Sequence, residues 1–394
     1  MKRKCKKINI ADKAYIKKCI ERCMKKKSSK AWRRSDVSEY WAKHDGQIDS
    51  IVDELHDELM TRTVNYPPSK HKIKVDPSNG KTRDITVDHI KLQYYNYIAN
   101  DALDDLTSRI GEYQLAFLEG KGCIFGARVI KGWLQSDTSI RYAIKADIKK
   151  CYPSITHENM MNWLNRHVCN ELLLYLIGEI LKCVDEGLPI GSYLSIRLCG
   201  LYLADLYHHI GESYYRTRRG KRINVVKHVM FFLDDIYIFG SNARDMHQMM
   251  EGVTVYAAER GLTIKPSWQL INLNPSDERC HIDAMGYRIY RDRITMRRRN
   301  YQKTKKALHQ FRVNPSVRNA RALSAYHGLF IKTTDSLRFK KKYEMKKYFR
   351  KARRVISHYD KGNFLCETAA RNNHKDHGGH QPVSDLSERV RSDF

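Results

Sequence analysis

Apolar and polar positions alternate along Ala143-Ile144-Lys145-Ala146-Asp147-Ile148, which predicts a strand closing on a turn at Tyr152-Pro153-Ser154. A denser apolar run, Phe231-Phe232-Leu233-Asp234-Asp235-Ile236-Tyr237-Ile238-Phe239-Gly240, has the residue types of strands around an acidic pair. It predicts a tight hairpin with both acids at its turn. Helical periodicity shows elsewhere: Ile51, Leu55 and Leu59 share one face, as do Leu198, Leu201, Tyr202 and Leu206. Lys72-Ile73-Lys74-Val75 and Thr82-Arg83-Asp84-Ile85 flank Asn79-Gly80, a second hairpin signal. These patterns divide the chain into a basic helical extension (1–60), a hairpin-bearing segment (61–135) and a mixed segment (136–293). The mixed segment has a helical insertion near Glu171–Cys183. A basic helical segment (294–359) and a polar tail (360–394), expected to lack structure, follow.

The chemistry concentrates on three acids. Adjacent carboxylates in an apolar setting are costly unless a positive charge sits between them. A divalent cation is the obvious candidate for Asp234 and Asp235, and Asp147 on the neighbouring strand-like stretch supplies a third hard oxygen donor. Three such acids suit a two-metal phosphoryl-transfer site, in which ions about 3.5–4 Å apart activate a hydroxyl and stabilise a leaving oxygen.

Charge adds a partner. The 394 residues carry a formal net charge of +28, which points to a polyanion. Lys2 to Arg34 holds 15 Lys/Arg against two acids, and Arg291 to Arg354 holds 22 against three. The second stretch also contains Tyr301, Phe311, Tyr326, Phe330, Phe339, Tyr343, Tyr348 and Phe349. Those rings either track a nucleic-acid backbone or fill a helix core. Ten scattered cysteines without a Cys-x-x-Cys pair argue against zinc and read as reduced thiols. With no secretory signal and no long apolar run, a cytoplasmic location and no membrane contact are expected.

The order of motifs resembles the palm of a reverse transcriptase, specifically a prokaryotic one. Asp147 falls at the first catalytic motif. Gly187-Leu188-Pro189-Ile190-Gly191-Ser192-Tyr193-Leu194-Ser195 is similar to the second, and Leu233-Asp234-Asp235 matches the third. Gly261-Leu262-Thr263-Ile264-Lys265-Pro266 resembles the fourth, and Met285-Gly286-Tyr287-Arg288-Ile289 the primer-grip hairpin. The resemblance covers roughly residues 60–350. It implies an α+β right-hand polymerase fold: fingers at 61–135, a palm with an antiparallel sheet at 136–293 and a helical thumb at 294–359.

It also implies roles. Two Mg²⁺ ions, with Mn²⁺ an acceptable substitute, would be held by Asp147, Asp234, Asp235 and the Ile148 carbonyl. Arg83 and Lys74 (or Lys72) would bind the triphosphate. Tyr152, five residues after Asp147, would exclude a ribose 2′-hydroxyl, and Gly191 would let the nucleotide or template base approach closely. Lys265 would protonate pyrophosphate, and Gly286 and Tyr287 would set the primer end. The implied reaction is RNA-directed DNA synthesis from dNTPs on an RNA template, in a bacterial or phage-infected cell. A dedicated non-coding RNA and an accessory protein are further expected partners. About a hundred residues follow Tyr287, so no RNase H or endonuclease domain is expected. The segment Asp283 to Arg299, with Ala322-Leu323-Ser324-Ala325-Tyr326-His327-Gly328, is similar to stand-alone enzymes of diversity-generating retroelements and phage-borne relatives. One departure stands out: those enzymes follow the motif serine with Gln, whereas Ser195 precedes Ile196 and Arg197. The alternatives are a phage-defence enzyme of the abortive-infection type, with or without a template, and an inactive RNA-binding protein.

Overall fold

The computed structural model describes residues 2–27, 34–75, 82–116, 120–331, 333 and 336–375. Asp12 caps α1 (Lys13–Lys25), its Oδ1 accepting from the Tyr15 N–H at 2.8 Å. Helices α2 (Ser35–Lys43) and α3 (Ile48–Met60) follow. Strand β1 (Lys70–Val75) pairs antiparallel with β2 (Thr82–Val87); the Asn79-Gly80 turn expected between them lies outside the described residues. Next come α4 (Ile90–Ala102), β3 (Gln114–Leu115), α5 (Cys123–Ser136) and β4 (Tyr142–Asp147). Four helices succeed them: α6 (Cys151–Ser154), α7 (His157–His167), α8 (Glu171–Leu181) and α9 (Tyr193–Glu212). The hairpin β5 (Tyr215–Arg218)–β6 (Lys221–Asn224) precedes β7 (Val226–Phe232), β8 (Asp235–Gly240), α10 (Ala243–Ala258) and β9 (Gln269–Asn272). The rest is β10 (Ile282–Ala284), β11 (Tyr287–Ile289), β12 (Ile294–Met296), α11 (Arg298–Val313), α12 (Val317–Ala325), α13 (His327–Ile331), α14 (Ser336–Lys342) and α15 (Met345–Lys375).

These elements form two compact units. The first comprises Met1–Phe117, Ile144–Ile238 and Ala243–Gln269, the second Leu118–Ala143, Phe239–Asn242 and Leu270–Phe394. The boundaries differ from those read in the sequence, because the basic N-terminal segment is built into the first unit rather than appended to it. Lys4 bridges to Val168, the Tyr15 hydroxyl donates to the Ile98 carbonyl at 2.9 Å, and Trp41 Nε1 donates to the Tyr94 hydroxyl at 2.8 Å. Ile51, Leu55 and Leu59 are buried as their spacing requires. Between α3 and α4 lies an ionic knot. Lys91 Nζ reaches Glu54 at 3.1 Å and Glu58 at 2.5 Å, while the Tyr40 and Tyr95 hydroxyls donate to the same two carboxylates. Burial alone would raise Glu54, but the Tyr40 hydroxyl and the Lys91 ammonium hold its pKa at about 2.

In this unit the strand order is β3-β7-β8-β4. Helix α9 covers the sheet with Leu198, Leu201, Tyr202 and Leu206 buried, and its Tyr207 ring meets Phe231 of β7 edge-on at 5.5 Å. A Cβ at Gly111 would stand 2.0 Å from that tyrosine ring. Glycine is therefore what lets α9 seat over β7.

In the second unit Arg291 gathers four carbonyls, those of Leu134, Asp137, Ile140 and Leu273. Its side chain thereby pins the loops around β10-β11-β12. The helical region has its own core of Leu308, Phe311, Leu323, Phe339, Met345 and Phe349. Tyr326, Tyr343 and Tyr348 pack partly against it, so of the rings interleaved with basic residues Phe311, Phe339 and Phe349 are core, these three tyrosines are half-buried, and Tyr301 is exposed. Where an unstructured tail was expected from Asp360, α15 continues to Lys375; residues 376–394 lie outside the described residues. Among the described residues no helix is long and apolar enough to cross a membrane.

Two stability outcomes follow from these contacts. Gly111→Ala forces the Tyr207 ring to move and lowers the urea midpoint, at a cost of about 1–3 kcal/mol. Gly132→Ala, inside α5 with no atom within 4 Å of the added methyl, raises stability by about 0.5–1 kcal/mol. For Glu54, a folded pKa depressed below the ordinary 4.5 gives stability that is present above pH 4.5 and lost as pH falls toward 2. Its share, on the order of 2–3 kcal/mol, disappears from the pH dependence of unfolding in Glu54→Gln.

Candidate active site

Strand β4 ends on Asp147, and its neighbour β8 begins on Asp235 immediately after the two-residue turn Leu233-Asp234. Such hairpin turns need a positive φ at the first central position. Here that position is Leu233, at φ +55°. A branched side chain in that conformation stores about 1–3 kcal/mol, held by the buried Phe231 and Ile236 on either side. The strain buys placement: Asp234 is thrust out at the tip of the hairpin beside the end of β4. The Ile148 N–H donates to the Asp234 carbonyl at 3.2 Å, so the edge of Ile148 that carries its backbone polar groups faces Asp234.

A third segment is zipped to the same place. Ile148 and Ile264 form an antiparallel bridge, Lys149 N–H donates to Thr263 at 2.8 Å, and Lys265 N–H donates to the Asp147 carbonyl at 2.9 Å. Lys265 Nζ then reaches Asp147 Oδ2 at 2.5 Å. Lys265 is thus set against the first acid, a pairing that its sequence position alone does not reveal.

The electrostatics are those of crowded acids. Burial pushes the Asp234 carboxyl up, and Asp147 adds to the rise, while Lys265 and Arg83 oppose it. Asp235 is also raised, by burial first and then by Asp234, against Lys145 and a hydrogen bond from Tyr237. The Tyr237 hydroxyl stands 3.3 Å from Asp235 Oδ2. Tyr237 and Lys145 were not singled out in the sequence, although each lies two positions from a catalytic-motif acid and so on the same strand face.

Among the described residues no three carboxylates converge closely enough to chelate one ion as they stand. The donor set nonetheless fits a hard divalent cation. Asp147 Oδ1 is buried without a hydrogen-bond partner, an arrangement that is costly unless a positive centre takes it up. The two raised carboxyls beside it carry the same demand.

The basic hairpin supplies the opposite charge. Lys74 and Arg83 are directly opposed across β1–β2, a like-charge pairing that destabilises a hairpin unless an anion is shared between them. Lys72 pairs instead with Ile85. Ile85 lies on the face of Arg83 and touches the Gly191 turn. A Cβ on Gly191 (φ +111°) would be 2.8 Å from Ile85 Cγ2 and 2.7 Å from the Thr86 carbonyl oxygen, and the Thr86 N–H donates to Ile190 at 2.8 Å. Glycine is needed here for the strand to dock. At the other end of the same loop, Gly187 (φ +77°) rests on the Tyr152-Pro153 backbone, with Pro153 Cα 2.7 Å from where a Cβ would be. The Leu188 N–H donates to the Tyr152 carbonyl at 2.9 Å. Tyr152 is half-buried, and burial, with smaller pushes from Cys199, Cys151 and Asp234, raises its phenol.

The loop is also tied beneath. Ser192 Oγ donates to Asn96 Oδ1 at 2.6 Å, Asn96 Nδ2 reaches Asp88 Oδ2 at 3.3 Å, and Ser69 Oγ donates to Asp88 Oδ1 at 3.1 Å. Sequence reasoning missed Asp88 and Asn96; no periodic signal distinguishes them from ordinary helix-start residues. In the second unit Met285 (φ +50°) and Gly286 (φ +91°) make the turn between β10 and β11. The Tyr287 ring and Met285 are buried and Gly286 is half-buried.

The chain is similar to a COX1/OXI3 intron 2 protein of Saccharomyces cerevisiae, 21% identical over 182 residues, covering 43% of this chain and 21% of that protein. It is also similar to a 91 kDa protein in the cob intron of Schizosaccharomyces pombe, 24% identical over 173 residues, covering 41% and 21%. The chain thus spans about a fifth of the length of these curated relatives. Among solved structures, telomerase from Candida albicans in complex with a fragment of telomeric RNA aligns with a TM-score of 0.42 at 12% identity. That alignment covers 86% of this chain and 68% of the other. The family model for reverse transcriptase (RNA-dependent DNA polymerase) matches residues 69–269. That stretch is just over half the chain and holds Arg83, Asp147, Tyr152, Gly191, the acidic hairpin and Lys265, and the chain belongs to the reverse transcriptase family.

Proposed function

We propose that the protein is an RNA-directed DNA polymerase that extends a primer 3′-hydroxyl with dNTPs. The observation that carries this reading is that Asp147, Asp234 and Asp235 lie at the ends of the neighbouring strands β4 and β8, with Arg83 near enough to act on Asp234. Asp147, Asp234, Asp235 and the Ile148 carbonyl would hold Mg²⁺, as two ions, with Mn²⁺ able to replace it. Bound there, the cations would lower the pKa of the primer hydroxyl and neutralise charge on the leaving oxygen. The chain's own groups do the remainder. Arg83 and Lys74 grip the triphosphate through the cation pair that β1–β2 presents. The Tyr152 ring lies under the sugar and excludes a 2′-hydroxyl. Gly191 lets the nucleotide approach, and Lys265 carries the proton for pyrophosphate. The Met285-Gly286 turn and the Tyr287 backbone set the primer end.

In this reading residues 61–135 act as fingers, 136–293 as palm and 294–359 as thumb. The template is a dedicated RNA of a diversity-generating-type or phage-borne element, working in the cytoplasm with an accessory protein. A second reading rests on the residues after Ser195. Ile196 is exposed, and Arg197 is committed to Asp104 at 2.7 Å and Thr107 at 3.2 Å. No amide stands where the diversity-generating enzymes place Gln, which favours a phage-defence enzyme.

Primer extension by the purified protein, with RNA template, DNA template or none, tests the proposal. Asp234→Ala is expected to lower dNTP incorporation at least about 10²–10³-fold while RNA binding persists; unchanged synthesis would remove the acids from catalysis. Tyr152→Ala is expected to relax the preference for dNTPs over NTPs by about tenfold or more, read as the ratio of kcat/KM values. A variant that discriminates as well as the wild type would leave Tyr152 as a purely structural residue.

A further inference from the structure

The ten residues from Tyr215 to Asn224 contain five Lys/Arg and no acid. They form the two-stranded hairpin β5–β6, with Arg218 opposite Lys221 and a turn at Arg219-Gly220. Both turn residues have positive φ, +50° and +73°, as a type I′ hairpin turn requires. Asn or Gly relieves that strain at the first position, yet Arg occupies it and sets a guanidinium at the very tip. A lone hairpin is marginal in water, and this one is fastened at its base. Val225 N–H donates to the Tyr214 carbonyl at 3.1 Å, and the Tyr214 hydroxyl meets His209 Nε2 at 3.1 Å.

The two faces differ. Arg216 and Ile223 are directly opposed and half-buried, and Arg216 pairs with Asp245 of α10 at 3.1 Å, which fixes that face against the helix. The other face carries Tyr215, Thr217, Arg222 and Asn224, all exposed. There the Arg222 guanidinium lies 3.5 Å from the centroid of the Tyr215 ring, a stacked contact, and Tyr215 itself is 50% exposed. Among the described residues no carboxylate pairs with Arg219, Lys221 or Arg222. A surface of three unneutralised cations around a planar Arg–Tyr stack is built for a polyanion with flat rings. Unpaired RNA offers both: phosphates for the cations, and splayed bases that stack on guanidinium and aromatic planes. Paired A-form RNA hides its bases in a groove that side chains cannot read.

We propose that the β5–β6 hairpin is an RNA-binding arm that holds an unpaired segment, with Arg222 and Tyr215 as the stacking platform and Arg219 and Lys221 on phosphates. The choice of RNA rests on the proposed function. Binding is read without catalysis, so failure of the arm and failure of the polymerase reading are told apart.

The test measures affinity of the full chain for a fluorescein-labelled unpaired RNA oligonucleotide across a salt series. A paired RNA duplex and a DNA strand of the same sequence are titrated alongside. Replacing Arg219, Lys221 and Arg222 together by Ser should weaken unpaired RNA about 10–100-fold and reduce the salt slope by about 2. Tyr215→Ala and Arg222→Lys should each weaken it about tenfold, the second because lysine keeps the charge but not the plane. All of these variants should melt at the wild-type temperature and extend a primer normally at saturating template. The proposal fails if the folded variants bind unpaired RNA as wild type does. It also fails if the duplex loses affinity as much as the unpaired RNA does, or if the DNA strand, which offers the same phosphates and unpaired bases, does not weaken with the RNA.

Discussion

Three carboxylates share one partly buried edge of the sheet, and their mutual repulsion is the term to which the surrounding structure answers. Burial and neighbouring acids raise both Asp234 and Asp235. The cations that offset them come from separate stretches of chain: Lys265 after α10, Arg83 on the β1–β2 hairpin and Lys145 on β4. Packing alone would not require these segments to meet. The charge requirement does, and the backbone bonds of Ile148, Lys149 and Lys265 hold the meeting in register.

The apolar scaffold exists to make that edge rigid. Tyr237 is buried in β8 while its hydroxyl turns to Asp235, so one residue serves core and site together. Leu233 keeps an unfavourable backbone conformation because the strands on either side of it are fixed by their own burial. The Gly111 contact has the same effect in the next layer out: without a side chain there, Tyr207 of α9 drops onto Phe231. A loose α9 would leave the acidic turn free to relax out of its strained shape.

Much of this was legible in the sequence because strand period and turn chemistry are local. The alternation before Asp147, the apolar run around Asp234-Asp235 and the face of Leu198, Leu201, Tyr202 and Leu206 each report their element directly. The opposition of Lys74 and Arg83 was not: a turn on Asn79-Gly80 would set Lys74 against Ile85, and only the observed register sets it against Arg83. What stayed hidden was tertiary. Nothing in residues 1–60 says that Tyr15 and Trp41 bond to α4, so the segment read as an appendage. The thumb-like aromatics could not be sorted from their sequence, because a ring beside lysines looks the same whether it faces water or Phe311. The Lys265–Asp147 pair and the Asp88–Asn96–Ser192 network depend on partners 118 and up to 96 positions apart. The α15 helix runs past Asp360 through residues whose composition reads as unstructured.

The loop from Gly187 to Ser192 is fastened at both ends, to the Tyr152-Pro153 turn through Leu188 and to β2 through Ile190. Gly187 is pressed against backbone, and Gly191 against the Thr86 carbonyl oxygen together with the Ile85 side chain. A loop held in that way behaves as a strut. The strand that carries Arg83 cannot shift along its axis without pushing on the turn that carries Tyr152. Arg83 and Tyr152 are therefore carried on one mechanical element, and changes at its two ends will not combine independently.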